Sequence, residues 1–297
     1  MGIIATAKTK VICQGILTPQ GLVHTEQAIA YGTNVVGGVA QGKGNQLVLG
    51  VPVFDTVKEA VSATHPDMTV IFANPEQVLD EIKAAIEAEI KWIVCPVERV
   101  AVHEMLKIKS MLKKSKSKLL GPASTGLITA SECKIGTMPA HLFLQGNVGL
   151  MSRSSSILYE AMQQLKNKGI GVSSCVSIGA YPILGTDYCD IFDKFQRDKK
   201  TDIVVLIGEV GGSFEVQFAE HYKNLKRKKP LVAYVAGQFV PPDTYMGNIS
   251  AIVRSEQETA LYKKQVLQDA GAIIVSSPAT IGDTVFKQLA LLGNKNE

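Results

Sequence analysis

Residues 10–21 read KVICQGILTPQG, in which the apolar run Lys10 to Cys13 precedes a turn that contains Gly15 and Gly21. Val and Ile favour extended backbone, and glycine and proline end such runs. The stretch therefore predicts a strand that leads through a turn into a helix. Short Val/Ile-rich runs alternate in the same way with longer stretches of helical periodicity along the whole chain. This alternation is typical of βαβ units and predicts an α/β protein with mainly parallel sheets.

Nine runs of this kind suit two parallel sheets better than one. The predicted strands are Lys10 to Cys13, Thr69 to Ala73, Trp92 to Pro96, Lys118 to Leu120, Gly146 to Met151, Ser173 to Ile178, Ile203 to Ile207, Leu231 to Val235 and Ala272 to Val275. The clearest helices are Pro75 to Glu89 and Ser156 to Lys168, whose apolar residues recur on one face.

A domain boundary is predicted near Gly121 to Thr125. A Gly-Pro turn follows a predicted strand there, and the next stretch, Leu127 to Gln145, lacks strong periodicity. We therefore predict a first domain over residues 1–124 and a second over residues 125–297.

Composition excludes several classes of protein. The 297 residues are 46% hydrophobic and 20% charged, which argues against a disordered or fibrous chain. The formal charge of +4 is too slight and too evenly spread to predict nucleic acid or a membrane as partner. Lysines between residues 107 and 118 interleave with apolar residues, as on the solvated face of a helix.

Two further absences in the sequence argue against a metal site and against a membrane-spanning or secreted protein. The cysteines form no CxxC pair and the histidines no HExxH spacing, so no metal site is predicted. No apolar run reaches the roughly 18 to 20 residues that cross a bilayer, and the first residues lack a signal-peptide core. We expect an intracellular location, cytoplasmic or, in a eukaryote, the mitochondrial matrix.

Three turns carry residues that suit ligand binding: Gly15 to Gly21, Ser152 to Ser156, and Ile207 to Ser213. Each follows a predicted strand and the first two precede predicted helices, so backbone N–H groups could meet a phosphate there. The alternatives are an ordinary glycine turn, helix capping by serine, and a carboxylate that caps a helix. From the residues alone, the turns indicate a protein that binds phosphate-bearing ligands.

A family resemblance makes the expectation more specific. Distinctive strings occur in the order and spacing of the succinyl-CoA synthetase (succinate–CoA ligase) α subunit, which the chain resembles over almost its entire length. These strings are residues 9–15, 26–33, 36–39, 42–44, 50–54, 132–136, 152–154, 159–161 and 208–213.

The resemblance implies an N-terminal Rossmann-like domain that holds coenzyme A and a C-terminal flavodoxin-like domain that takes part in phosphoryl transfer. It also implies an ATP-grasp β-like partner subunit, in a heterodimer or heterotetramer, that binds ATP or GTP with Mg²⁺. In the family, a histidine of the α subunit carries phosphate between the nucleotide and the carboxylate substrate, as one step of the tricarboxylic acid cycle. Coenzyme A then displaces the phosphate.

The resemblance also assigns site residues. The implied coenzyme A ligands are Gly15, Thr18, Gln20, Gly21, Lys43, Asn74, Pro75, Cys95, Val97 and Glu98. The implied phosphate ligands are Ser154, Ser155 and Ser156, at the start of a helix, and Glu209 is implied to orient the histidine ring.

The sequence departs from the family at the histidine itself. The family string Met-Gly-His-Ala-Gly-Ala-Ile corresponds to residues 246–252, and Asn248 stands at the histidine position. An amide nitrogen shares its lone pair with the carbonyl and cannot act as the nucleophile that a neutral imidazole provides. The continuation, residues 254–259, is bulky where the family has glycines. A phosphohistidine relay through this position is therefore not expected.

The coenzyme A turn departs as well. The family's Thr-Gly-Ser-Gln-Gly is residues 17–21 here, with Thr18 at a glycine position and Pro19 in place of a residue with an N–H. Because proline offers no donor, binding of the diphosphate should be weakened or rearranged.

Three functions are compatible with these departures. The first is a CoA-binding, non-catalytic, regulatory or repurposed ligase subunit with a β-like partner, for which direct transfer of a partner's acyl phosphate to coenzyme A is one variant. The second is a working succinate–CoA ligase subunit that uses another route. The third is an interaction protein that no longer binds coenzyme A.

Overall fold

The computed structural model describes residues 2–241, 243–244 and 251–293. The chain divides into two compact units. The first comprises Ala5–Ala140 and Ile183–Thr186, and the second comprises the described parts of Met1–Ile4, His141–Pro182 and Asp187–Glu297. The boundary expected after Ser124 stays a prediction.

The first unit contains a mainly parallel sheet. Its strands are β1 (Lys10–Gln14), β2 (Asn34–Val39), β3 (Gln46–Val48), β4 (Val51–Phe54), β5 (Met68–Ile71), β6 (Trp92–Val94) and β7 (Lys118–Leu120). The strand order is β3-β4-β2-β1-β5-β6-β7, and only the edge strand β3 pairs in the antiparallel sense. Without β3, this is the 3-2-1-4-5-6 order of dinucleotide-binding Rossmann sheets.

Four helices of the first unit connect these strands. They are α1 (Pro19–Tyr31), α2 (Val57–Thr64), α3 (Val78–Glu87) and α4 (Val102–Lys113). An antiparallel pair, β8 (Gly126–Thr129) and β9 (Cys133–Gly136), belongs to the same unit.

The second unit contains a parallel sheet built from β10 (Gln145–Ser152), β11 (Val172–Ser177), β12 (Ile203–Glu209), β13 (Leu231–Ala236) and β14 (Ile273–Ile274). Within the unit their order is β11-β10-β12-β13-β14, the 2-1-3-4-5 order of flavodoxin-like sheets. Its helices are α5 (Ser155–Asn167), α6 (Tyr188–Arg197), α7 (Phe214–Asn224), α8 (Ala260–Asp269) and α9 (Ile281–Gly293).

The core lies between these sheets and their helices. All seven residues of β12 are buried, as expected for a central parallel strand that is covered on both faces. Between α6 and α7, aromatic rings pack edge to face, with centroids of Phe192 5.3 Å from those of both Phe218 and Tyr222. The predicted fold class, a Rossmann-like domain followed by a flavodoxin-like domain with mainly parallel sheets, is confirmed.

The strands that sequence patterns did not predict are β2, β3, β4, β8 and β9. Strand β2 carries Gly37 and Gly38, which weaken a strand pattern, but packing leaves no space for a side chain at position 38 and little at position 37. A Cβ atom on Gly38 would lie 2.5 Å from Ile16, and one on Gly37 would lie 3.0 Å from Phe54. Within the described ranges, no helix is long and apolar enough to span a membrane.

Candidate functional site

A cleft of about 530 Å³ opens at the carboxyl ends of β1, β2, β4 and β5. The strand order reverses between β1 and β5, and open α/β sheets place their ligands at such a switch point. Among the predicted coenzyme A ligands, Gly15, Thr18 and Asn74 line this cleft.

Both glycines of the first turn are required by packing. Gly15 has a φ of 77°, and a Cβ atom there would lie 1.9 Å from the carbonyl oxygen of Phe72. A Cβ atom on Gly21 would lie 2.1 Å from the carbonyl oxygen of Gly15. Helix α1 therefore starts close against the end of β1, in the tight strand-to-helix turn of a nucleotide-binding sheet.

Thr18 caps the helix that would face a phosphate. Its Oγ1 accepts a hydrogen bond from the N–H of Gly21 at 3.0 Å and donates one to the carbonyl of Gly15 at 2.8 Å. The N–H of Gly21 is therefore already bound, and Pro19 has no N–H. Two donors of the first turn of α1 are thus unavailable to a ligand. Gln20 is exposed in the same turn.

Lys43 is exposed on the loop between β2 and β3, and a carboxylate tethers that loop. The N–H of Gly44 donates to Asp55 Oδ1 at 2.8 Å, and a Cβ atom on Gly44 would lie 2.7 Å from Asp55 Oδ2. Asp55 thus fixes the segment that carries the Lys43 ammonium group. Sequence reasoning missed Asp55 because it missed β4, the strand that Asp55 directly follows.

The remaining predicted ligands of coenzyme A do not line the cleft. Pro75 begins a short 3₁₀ turn after Asn74, and Cys95 is fully buried. Burial raises the pKa of the Cys95 thiol to about 12, so it is not a reactive thiolate near pH 7. Val97 and Glu98 follow β6 and are only partly buried or exposed.

The cleft also has an acidic side that sequence reasoning missed. Asp80 and Glu81, from the first turn of α3, line it together with Asp55. Glu81 is tied inward, because the Nε2 of buried Gln14 donates to its Oε2 at 2.5 Å and to its backbone carbonyl at 3.0 Å. Carboxylates on this side repel a phosphate. Lys43 does not itself line the cleft, but it lies on the same loop as Gln41, which does, and its ammonium group is a positive charge that suits a phosphate.

A second switch point lies between β10 and β12. Ser154, Ser155 and Ser156 stand at the start of α5, directly after β10, as predicted. The N-cap of α5, Ser154, makes no side-chain capping bond, and neither does Ser213, the N-cap of α7 beyond β12. Two helices therefore begin here without side-chain caps, and uncapped N-terminal N–H groups suit an anion.

Two cations and two carboxylates form a buried cluster next to these helix starts. This four-charge cluster consists of Arg153, Glu209, Glu215 and Lys263. Arg153 Nη2 lies 3.2 Å from Glu209 Oε1, and Arg153 Nη1 lies 3.3 Å from Glu215 Oε1. Lys263 Nζ lies 2.5 Å from Glu215 Oε2. Charges so deeply buried persist only when they are paired.

The pKa shifts of the cluster follow from its geometry. Burial alone would raise the pKa of Glu215, but the charges of Lys263 and Arg153 outweigh burial and hold it below its ordinary value. Burial lowers the pKa of Lys263, and the Glu215 carboxylate opposes that shift. Glu209, predicted from the family resemblance, thus lies in a charge-balanced setting at the carboxyl end of β12.

Asn248, the residue at the position of the family histidine, lies outside the described residues. In the described ranges, no group of three or more His, Cys, Asp or Glu side chains is placed to hold a metal ion.

Two protein families match the parts of the chain that contain the two switch points. Residues 6–98 match the family described as CoA binding domain, and residues 151–273 match the family described as CoA-ligase. Fold and site together define a two-domain protein of the CoA-ligase class. The chain is 40% identical to the succinate–CoA ligase [ADP-forming] α subunit of Aquifex aeolicus, over all of this chain and 98% of that subunit. It is also 40% identical to the Staphylococcus epidermidis α subunit, over 96% of this chain and 94% of that one. The chain belongs to the succinate–CoA ligase α-subunit family.

Solved structures support the same fold. ATP citrate lyase from Methanothrix soehngenii, in complex with citrate and coenzyme A, superposes with a TM-score of 0.90 at 22% identity. The match covers 98% of this chain but 51% of the lyase chain, so this chain spans about half the length of that protein. A dinucleotide-forming acetyl-coenzyme A synthetase from Ca. Korarchaeum cryptofilum, in complex with phosphate and ADP, has a TM-score of 0.76 at 20% identity, over 93% of this chain and 60% of that one.

Proposed function

We propose that this chain is a CoA-binding α-type subunit that pairs with an ATP-grasp β-type subunit but does not carry out the phosphohistidine step. The observation that carries the proposal is a mismatch between the second switch point and the sequence at the position of the family histidine. The uncapped helix starts and the Glu209 turn are present, whereas the side chain at the acceptor position is the amide of Asn248. An amide cannot accept phosphate as a nucleophile, so the surroundings of the reaction persist without its acceptor.

The phosphate ligands of the proposal are Ser154, Ser155 and Ser156 at the start of α5. The N–H groups of Ser155 and Ser156 and the hydroxyl of Ser154 are the donors, because the N–H of Ser154 already donates to Ser152 Oγ at 3.0 Å. The helix dipole favours an anion there. Arg153 strengthens the case, since its buried Nε atom makes no hydrogen bond to any described residue. The ion pair with Arg153 neutralises the Glu209 carboxylate and so lowers the repulsion that an approaching phosphate meets.

Coenzyme A is assigned to the cleft of the first unit. The 530 Å³ volume suits part of an extended ligand, and the cleft lies at the switch point of a Rossmann sheet. Because Thr18 and Pro19 remove donors from α1, the Lys43 loop supplies the main positive charge for the ligand's phosphates. The nucleotide, ATP or GTP with Mg²⁺, is assigned to the partner subunit.

Calorimetric titration of the purified chain with coenzyme A tests the assignment of the cleft. We expect saturable binding that Lys43→Ala weakens about tenfold, because one phosphate contact loses its charge. Lys83→Ala is the matched control, since Lys83 lies on the exposed face of α3 and pairs with Glu87. Its affinity should equal that of the parent chain.

Two results would count against the assignment. Absence of heat, with an unchanged melting temperature, would favour an interaction protein that has lost coenzyme A. Equal weakening by Lys43→Ala and Lys83→Ala would place the ligand away from the Lys43 loop.

A further inference from the structure

Lys263 fixes the backbone of the turn between β12 and α7 through hydrogen bonds. Its Nζ donates to the carbonyl of Glu209 at 2.8 Å, to the carbonyl of Gly211 at 2.7 Å and to Glu215 Oε2 at 2.5 Å. An ammonium group has three N–H donors, so all three are used within this one cluster. The side chain is fully buried, although it starts from α8, about fifty residues further along the chain.

The orientation of the Gly211–Gly212 peptide follows from these bonds. In a trans peptide the C=O and the following N–H point in opposite directions. The carbonyl of Gly211 points into the cluster, towards Lys263 and also towards Arg153 Nη1 at 3.4 Å. The N–H of Gly212 must therefore point away from the cluster. Gly212 is exposed and immediately precedes Ser213, the uncapped N-cap of α7.

Glu215 completes the hold on the turn. Its Oε1 accepts a hydrogen bond from the backbone N–H of Glu209 at 3.2 Å, and its Oε2 accepts the bond from Lys263. The approach is close enough to require glycine beside it, since a Cβ atom on Gly208 would lie 2.6 Å from Glu215 Cγ. The backbone of the turn is thus fixed at Glu209 and Gly211 by side chains that do not reach its outer face.

We infer that Lys263, together with Glu215, is a positioning residue that presents the outward N–H groups of the Gly212–Ser213 segment and the start of α7 to an anion. The inference rests on the phosphate site of the proposed function. Lys263 itself does not touch the anion, because its three donors are bound inside the protein. Its contribution is to remove the freedom of a two-glycine segment that would otherwise have to be ordered on binding.

The test uses inorganic phosphate and the ¹⁵N–¹H spectrum of the full chain. In the parent chain, phosphate should shift the amide signals of Gly212, Ser213 and the first turn of α5 in a saturable way. The test variant is the double substitution Lys263→Met with Glu215→Gln, because it removes the hold on the turn without leaving an unpaired Glu215 charge. We expect it to weaken phosphate binding at least tenfold while the signals of the β10 and β12 amides stay in place.

Lys264→Met is the matched control. Lys264 is adjacent to Lys263 and loses the same charge, but its Nζ bonds to the exposed side chain of Gln238 at 3.0 Å. Its phosphate affinity should stay within twofold of the parent. Equal affinity in the parent and in the double variant would overturn the positioning role and leave the phosphate site standing. Unmoved α5 and α7 amides in the parent chain would overturn the phosphate site of the proposed function, and the inference with it.

Discussion

Arg153→Met will lower the free energy of unfolding of the second unit by about 3–5 kcal/mol, the usual cost of removing one partner from a buried ion pair. The side chain of Arg153 is 0% exposed and lies 3.2 Å from Glu209 and 3.3 Å from Glu215. Lys263 continues to neutralise Glu215 in the variant, whereas Glu209 loses the ion pair with Arg153. Urea unfolding, monitored by hydrogen exchange of the β10 and β12 amides, measures the loss of unfolding free energy in this unit.

Arg197→Met is the control for Arg153→Met. Arg197 lies in the last turn of α6 and is exposed, so the same change of side chain should cost less than about 0.5 kcal/mol. Similar losses in the two variants would mean that the four-charge cluster does not hold the second unit together.

Lys134→Met will change how the stability of the first unit depends on pH. Lys134 is fully buried, its Nζ donates to the carbonyl of Gly136 at 2.9 Å, and burial lowers its pKa from 10.5 to about 8. Between about pH 8 and pH 10.5, the unfolded chain therefore binds more protons than the folded chain. As a result, this lysine destabilises the fold below pH 8 and ceases to do so above pH 10.5. The full effect corresponds to about 3 kcal/mol.

Only the difference between variant and parent isolates this effect, because tyrosines and cysteines also ionise at high pH. The stability gained by Lys134→Met should be about 2 kcal/mol larger at pH 6.5 than at pH 10. Fluorescence of Trp92, the single tryptophan of the chain and a residue of the same unit, reports the unfolding. Lys83→Met, on the exposed face of α3, should differ from the parent by the same amount at both pH values. A pH-independent gain in Lys134→Met would show that Lys134 is not buried as a perturbed amine.

Much of the fold could be predicted from the sequence, because buried parallel strands are Val/Ile-rich runs that end in glycine or proline. Strand β7 was predicted with its observed bounds, and helix α5 was predicted to within a residue at each end. Strand β2 was missed because Gly37 and Gly38 interrupt the pattern. Their function is to admit Ile16 and Phe54, which are distant in sequence, and no local pattern records such contacts.

The positions of the candidate site residues were predictable where these residues follow strand ends, and were not where they depend on long-range pairing. Gly15, Thr18 and Ser154 lie where a turn after a strand places them. The four-charge cluster joins residues from β10, β12, α7 and α8, and a lysine in a helix ordinarily indicates a solvated face. Lys263 in particular lies next to Lys264, which is only partly buried, and nothing in their sequence spacing shows which of the two is fully buried.

Loss of the phosphohistidine step is tested most directly by radiolabelling. The chain is combined with the ATP-grasp β-type subunit of the same organism, Mg²⁺ and [γ-³²P]ATP or [γ-³²P]GTP, and base-stable, acid-labile phosphate on the chain is counted. An α–β complex of a histidine-containing succinate–CoA ligase is the positive control. We predict no such label on this chain, since Asn248 stands at the acceptor position. Label at the level of the positive control would contradict the proposal and indicate a working ligase with another acceptor.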